Sequence, residues 1–335
     1  MATIRDVAKA AGLAISTVSA VINRSAPVSE DAIKRVGQAI DALGYIANGA
    51  ARSLRSGKSN LIGLLVPSVA NPIFGAVARE VEHFCFERGY TSVVFSTGQD
   101  ANRESQILKM MRMHRVGGLV ISPTRSDAKH GAGLRSMIHV PTVLLDMYVD
   151  GLAFDVVKTD NVEAGRLASE HLLALGHRRI GIVVGIPGLA TSDDRLEGYM
   201  RAHRAAGLKV DPSLIVEGLF ATDRAYEAAL HLIDRPDRPT AIVAVSNLMS
   251  VGLLFAVKER ALRVPLDISI VGIDDLDLAQ LLDPVPTVVA TPVIGMARRA
   301  IEILIDEIES GQPPTRKWEI WKPELLPRAS TAYLT

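Results

Sequence analysis

Apolar positions recur along this chain with two different periods, and the change between them divides it. Up to residue 47 the period is helical. Ile4, Val7, Ala8 and Ala11 fall on one helical face, and Val18, Val21 and Ile22 give a second short segment its own stripe. Thr3 stands where it caps the first segment, with Asp6 near its N-terminus, and Gly12 supplies the break between the two. After a polar turn from Arg24 to Val28, Ser29 caps a third helix with Glu30 and Asp31 in its first turn. Ala32, Ile33, Val36, Ala39, Ile40 and Leu43 keep helical spacing until Gly44 ends it. Three short helices can bury a small shared core, so residues 1–47 read as an independent all-α headpiece. Its first two helices predict a helix-turn-helix, whose second helix enters the DNA major groove.

From Leu61 onward, runs that are apolar throughout alternate with helical patterns. Strands are predicted over Leu61–Val66, Thr91–Phe95, Gly118–Ser122, Val143–Asp146, Ile180–Val184, Leu214–Val216, Ala241–Val245 and Ser269–Ile273. Helices are predicted from Asn71 to Arg88, Glu104 to His114, Asn161 to Leu175, Arg195 to Ala206, Arg224 to Ile233, Leu248 to Arg260 and Ile294 to Glu309, with a strand-like tail from Trp318 to Leu326. Strands without polar alternation are covered on both faces, which means parallel sheets flanked by helices. Two similar α/β halves predict two lobes with a cleft between them, and a ligand site outside the carboxyl ends of the strands.

Residues 48–60 join head and body. Ala50, Ala51 and Leu54 favour helix and Gly49 and Gly57 oppose it, so the segment is marginal as an isolated helix. It reads either as a plain flexible linker or as a hinge that becomes helical against a partner.

Composition changes this picture little. The 335 residues carry no formal net charge, but through Asn60 eight basic residues stand against four acidic ones, and the body is acidic to the same extent. A basic head fits contact with phosphate. The one cysteine, Cys85, lies between Phe84 and Phe86 in an apolar helical pattern and reads as core rather than as a catalytic thiol. The N-terminus lacks the apolar run of a signal peptide, and no apolar segment approaches the roughly 18 residues of a membrane span. A cytoplasmic, nucleoid-associated protein is expected. Neither Gly-x-Gly-x-x-Gly after the first strand nor a P-loop occurs, and the histidines lack metal spacing. The Asp274, Asp275, Asp277 cluster reads as a turn. No catalytic residue, metal or cofactor is expected.

Polar and aromatic residues at strand ends are the ligand candidates: Ser68, Asn71 and Phe74 after the first strand, Asp146 after the Val143 strand, Arg195 at the start of a helix, Phe220, Asn247 and Asp274. Carboxylates and amides suit hydroxyl groups and aromatic rings suit ring faces, so a sugar-like or nucleoside-like effector fits the set. Phe74 has core as its alternative, Asp146 and Asp274 turn or cap roles, and Arg195 a surface pair with Asp193 or Asp194.

The stretch from Thr3 to Asn23, with Leu43-Gly44-Tyr45 and Ala50 to Lys58, resembles the lactose-repressor/purine-repressor family of bacterial transcription regulators. Gly176 to Gly181, Arg238 to Ala241, Val264-Pro265, Ile270 to Asp275 and Leu326 to Thr331 extend the resemblance nearly end to end. It implies a helix-turn-helix headpiece (1–47), a hinge helical on DNA (48–60) and a periplasmic-binding-protein-like sensor (61–335). The sensor's N-lobe would be about 61–160 with 292–321, and its C-lobe about 161–291 with 322–335. It further implies a homodimer, with a tetramer as the alternative, on a pseudo-palindromic operator of double-stranded DNA. Ile15 and Ser16 would read bases, Ala20 would meet a base edge, and Thr3, Thr17, Ser19, Asn23 and Tyr45 would hold the backbone. Leu54, flanked by Ser53 and Arg55, would wedge into the minor groove. The family commonly has aspartate where this chain has Asn247, proline where it has Ala47 and alanine where it has Gly49. Such a protein would be a ligand-controlled regulator, in the main a repressor, and not an enzyme. The alternative is a small-molecule sensor whose headpiece makes protein contacts.

Overall fold

The computed structural model describes residues 2–23, 26–45, 59–275 and 277–334, apart from the side chains of Asn23 and Asp277. The chain divides into two units, residues 1–59 and 60–335. The proposed hinge residues Ser53, Leu54 and Arg55 lie outside the described residues, as does the Asn23 side chain.

The headpiece contains α1 (Ile4–Ala11), α2 (Ile15–Asn23) and α3 (Glu30–Leu43). Thr3 and Asp6 close a capping box on α1: the Asp6 carboxylate accepts from the Thr3 backbone N–H at 2.8 Å and from its hydroxyl at 2.7 Å. Gly12 has φ 61°, the left-handed conformation in which glycine carries no Cβ penalty, and it turns the chain from α1 to α2. The turn is held from α3, where the Arg35 guanidinium donates to the carbonyls of Ala11 (2.5 Å) and Gly12 (3.3 Å). Val7, Ala8, Ala11, Val18, Val36 and Ala39 form the buried core, with Ile4, Leu13, Val21, Ile22, Ile40 and Tyr45 packed around it. Ile33 and Leu43, which share the apolar spacing of α3, are exposed.

The body holds two six-stranded sheets. The first contains β1 (Leu61–Val66), β2 (Thr91–Ser96), β3 (Gly118–Ile121), β4 (Thr142–Leu145), β5 (Asp155–Thr159) and β11 (Trp318–Trp321), in the order β11-β5-β4-β3-β1-β2. The second contains β6 (Ile180–Val184), β7 (Ile215–Glu217), β8 (Ala241–Ala244), β9 (Ser269–Ile273), β10 (Thr287–Ala290) and β12 (Glu324–Leu326), in the order β12-β10-β9-β8-β6-β7. Strand for strand the two orders correspond. All pairs are parallel except β10 with β12. Strands such as β3, β4, β6 and β8 are buried along their whole length, as their uninterrupted apolar sequence requires.

The helices are α4 (Pro72–Glu87), α5 (Ala101–Met113) and α6 (Ala128–Met137) in the first half, then α7 (Asn161–Ala174), α8 (Ala190–Ala205), α9 (Thr222–Ile233), α10 (Asn247–Glu259) and α11 (Val293–Ser310). The chain crosses between lobes after β5, after β10 and between β11 and β12, so α11 packs on α4, β3, β4 and β5 of the first sheet. Helices α7 and α8 approach so closely that a Cβ on Gly165 would lie 1.9 Å from the Arg195 carbonyl oxygen, and one on Gly198 would lie 2.0 Å from that of Val162.

Several elements differ from the sequence expectation. Helix α8 starts at Ala190, so Arg195 sits in its second turn rather than at its beginning. The tail from Trp318 to Leu326 is two strands in different sheets, broken at Lys322-Pro323. Strands β5 and β10 were not expected. In β5 the apolar signal is interrupted by Asp155 and Lys158, both buried. Asp155 accepts from Thr315 and Lys317 in the segment leading to β11, at 2.6–3.0 Å. Lys158 pairs with Asp194 at 3.3 Å and lies over the Tyr148 and Trp318 rings.

Glu307 of α11 lies beside Asp155, and both are buried. Burial pushes the Glu307 carboxyl up to about 8, and the charge of nearby Asp155 adds to the shift. Burial alone would raise Asp155 as well, but the bonds it accepts from Lys317 and Thr315 hold it below the ordinary range. A raised acid binds its proton more tightly in the folded state. Its contribution is full below the ordinary value of 4.5, falls as pH rises, and is gone above about 8. Melting temperature measured from about pH 5 to 9 should therefore decline in the wild type and decline less in Glu307→Gln, which stays neutral.

Candidate effector cavity and nucleic-acid face

Between the lobes, at the carboxyl ends of the parallel strands, lies a cavity of about 410 Å³. Its walls are built by residues that follow strand ends and by the first turns of helices, where parallel α/β sheets place their ligands. Of the eight non-glycine residues with positive φ among the described residues, five line it: Gln99, Asp146, Leu219, Phe220 and Asp274. Concentration of unfavourable backbone in one place is characteristic of functional sites.

Asp146 and Asp274 occupy equivalent places in the two lobes. Each follows a strand, β4 or β9, with φ of 71° or 69°. Each amide donates to the next strand, Asp146 to the Val157 carbonyl at 2.8 Å and Asp274 to that of Val289 at 2.9 Å. Their side chains differ. Asp274 accepts from Arg195 at 3.0 and 3.4 Å and from the Thr291 hydroxyl at 2.6 Å. Asp146 makes no hydrogen bond or ion pair with the described residues, and its carboxyl faces the cavity. Burial pushes its pKa up; the Arg195 charge opposes the shift, Asp274 adds to it and Lys158 opposes it.

Arg195 is 2% exposed. Besides Asp274 it donates to the Asn161 side chain (2.9 Å) and the Val245 carbonyl (2.5 Å), so it ties α8 to the start of α7 and to the ends of β8 and β9. The surface pair with Asp193 or Asp194 considered from sequence does not form: Asp193 accepts from the Gly188 amide and Asp194 from Lys158.

Ser68, Asn71, Phe74 and Phe220 also line the cavity. Phe220 fits because position 185 is glycine, where a Cβ would lie 2.2 Å from its ring. Asn247 is the correction among the expected ligand residues. It is buried and absent from the cavity wall, with its amide committed to Asn71 in a reciprocal pair across the lobes at 2.8 and 3.3 Å. An aspartate could not donate the first of these bonds. Two more contacts close the lobes on each other, from the Ala190 amide to Ser126 Oγ at 2.9 Å and from Lys158 to Asp194.

Among the polar wall residues that sequence reasoning missed, three have atoms without partners. Gln99 Oε1, Ser122 Oγ and Thr191 Oγ1 are buried and have no hydrogen-bond partner. Buried polar atoms are normally satisfied, so a cluster of them around one cavity marks where a ligand's polar groups belong. Two were findable: Ser122 ends the expected Gly118 strand and Gln99 comes shortly after the Thr91 strand. Among the described residues no group of three or more His, Cys, Asp or Glu stands together as a metal site.

On the headpiece, Ile15 and Ser16 at the start of α2 are exposed, and Thr17, Ser19 and Ala20 are half-buried beside them. Tyr45 packs half-buried on the headpiece core, and the Thr3 hydroxyl is engaged with Asp6.

Known proteins with the same organisation place this one. The model for bacterial regulatory proteins of the lacI family matches residues 3–48, and that for a periplasmic binding protein-like domain matches residues 169–331. The HTH-type transcriptional repressor PurR of Aliivibrio salmonicida is 34% identical over 330 residues, covering 98% of this chain and 99% of the relative. PurR of Haemophilus influenzae is 33% identical over 333 residues, covering 98% of each. A structure of the Lac repressor dimer bound to operator and the anti-inducer ONPF superposes with a TM-score of 0.88 at 25% identity, covering 99% of each chain. The complex of the regulator CelR with cellobiose gives a TM-score of 0.74 at 28% identity, covering 98% of this chain and all of the other. The protein is thus a DNA-binding transcription regulator with a ligand-sensing body. It belongs to the lacI family of bacterial regulatory proteins.

Arg195 is buried with a charged partner, so Arg195→Ala should cost about 3–5 kcal/mol by leaving Asp274 unpaired. Denaturant unfolding checks this; a loss below about 1 kcal/mol would mean that solvent already screens the pair.

Proposed function

We propose that this protein is a repressor that binds a pseudo-palindromic operator as a homodimer and is controlled by a sugar-like or nucleoside-like molecule held between the lobes. The observation that carries the reading is the set of buried polar atoms without partners, Gln99 Oε1, Ser122 Oγ and Thr191 Oγ1, around one interlobe cavity that Asp146 also lines. Ser68, Asn71, Phe74, Arg195, Phe220 and Asp274 complete the wall. A volume of about 410 Å³ suits a mono- or disaccharide or a nucleoside. No reaction is assigned to the site, and the protein acts in the bacterial cytoplasm, at the nucleoid.

On the DNA side, Ile15, Ser16 and Ala20 meet base edges, and Thr3, Thr17, Ser19, Asn23 and Tyr45 hold the backbone. The headpiece is residues 1–47 and the hinge residues 48–60, where Leu54 wedges into the minor groove with Ser53 and Arg55 beside it. Ligand changes DNA affinity only if it binds the open and closed lobes with different strength. The direct bonds between the lobes set how much strength that takes.

The test is binding of the full-length protein to operator and to unrelated duplex over a range of salt. A dimer making six or more phosphate contacts should show a log–log slope of about −5 or steeper. Weak binding to all DNA, flat with salt, would sink the reading. Leu54→Ala should weaken operator binding at least about tenfold more than non-specific binding. An equal loss on both would remove the wedge.

A further inference from the structure

At its reading end, helix α2 carries none of the side chains that spell out a base sequence by hydrogen bonds. It runs Ile-Ser-Thr-Val-Ser-Ala-Val-Ile-Asn, with no charged residue, no glutamine and no aromatic ring. Bidentate bonds to base edges come from Arg or Lys on guanine and from Asn or Gln on adenine. Asn23 is of that type, but it is the last residue of α2, and the bases are met by residues near the helix start. Val18 is fully buried, and Val21 and Ile22 pack on the headpiece core, so that face is already used.

What the reading end presents is largely apolar. Ala14 and Ile15 are exposed together with Ser16, and Ile15 keeps 45% of its surface open while taking no part in the headpiece core. Its neighbours do not supply the missing polarity. Arg35, beside the turn before α2, donates back to the carbonyls of Ala11 and Gly12 and pairs with Asp31 at 3.5 Å. Arg24, the next cation in the chain, comes only after Asn23. The Ser16 hydroxyl can donate or accept, so it meets any base edge without choosing among them. Ala20, one helical turn on from Ser16, adds another methyl.

Among the four bases only thymine offers an apolar group in the major groove, its 5-methyl. Resting on the DNA reading proposed above, we infer that Ile15 selects thymine by packing on that methyl, so that each operator half-site is chosen at this position by a methyl group and not by hydrogen bonds. The contact is indifferent to the pairing edge of the base. It therefore accepts 5-methylcytosine, which carries its methyl at the same ring position, and rejects uracil and cytosine.

The experiment selects an operator from a pool of random duplexes on the full-length protein. The operator is then remade with each thymine changed in turn, in both half-sites at once, and tested with wild type and Ile15→Ala. Ile15 lies outside the core, so the variant keeps its fold. Uracil removes only the methyl, and at the contacted position it should weaken wild-type binding about tenfold. Cytosine there should bind at least as weakly as uracil, and 5-methylcytosine should restore most of the loss. With Ile15→Ala, the thymine and uracil duplexes should bind within about twofold of each other. The inference is overturned if uracil throughout both half-sites binds as thymine does, if 5-methylcytosine is no better than cytosine, or if the uracil penalty persists undiminished in Ile15→Ala. Selection of no duplex at all would remove the DNA reading itself, and this inference with it, before any base is exchanged.

Discussion

The body depends on one buried charge pair. Arg195 and Asp274 come from different elements of the C-lobe, and the remaining donors of the guanidinium fix the end of β8 and the first residue after the crossover at Asp160. A guanidinium at 2% exposure is tolerable only because almost all its N–H groups are met. Satisfying it fixes where α8, β8, β9 and α7 stand relative to one another. The close approach of α7 and α8 at Gly165 and Gly198 makes the same demand from the packing side. With that corner fixed, one wall of the cavity is preorganised, and a ligand need not order it.

The N-lobe wall is built differently. Gln99 and Ser122 present buried polar atoms without partners there, and Asp146, on a left-handed backbone, lines the same wall. The C-lobe half of the cavity is thus rigid and largely neutralised, and the N-lobe half is rigid and unsatisfied. Lobe closure rests on uncharged contacts as well as a charged one: the Asn71–Asn247 amide pair, Ser126 with Ala190, and Lys158 with Asp194.

Much of this was legible in the chain. The headpiece helices followed from spacing and caps, because short surface helices advertise one apolar face and their ends. The parallel strands followed from uninterrupted apolar runs. What escaped was polar residues doing internal work. Asp155 and Lys158 hid β5 because their partners, Thr315, Lys317 and Asp194, are distant in sequence. Arg195 was read as a ligand contact near a helix start, but its main partners lie 34, 50 and 79 residues away. Asn247 was read the same way and is joined to a residue 176 positions away. His177, in a motif that carried the family resemblance, is a structural tie. Its ring bonds to Thr240, Ser269 and the Ala332 carbonyl, and burial keeps it on the neutral side of its ordinary range. Local pattern identifies elements, whereas the partner of a buried polar group is set by topology.

The triple crossing of the chain also bears on synthesis. Helix α11 and strand β11 complete the first sheet, yet they follow the whole of the second sheet's parallel core in sequence. As the chain leaves the ribosome, the headpiece can fold early on its own short-range contacts. The N-lobe cannot, because Met296, Ala300, Ile301 and Leu304 of α11 belong to its core. It must wait with an open apolar face while the C-lobe emerges and begins to form. The nascent protein thus has a finished DNA-binding end before it has a working sensor, and its period of greatest exposure to aggregation falls between the two.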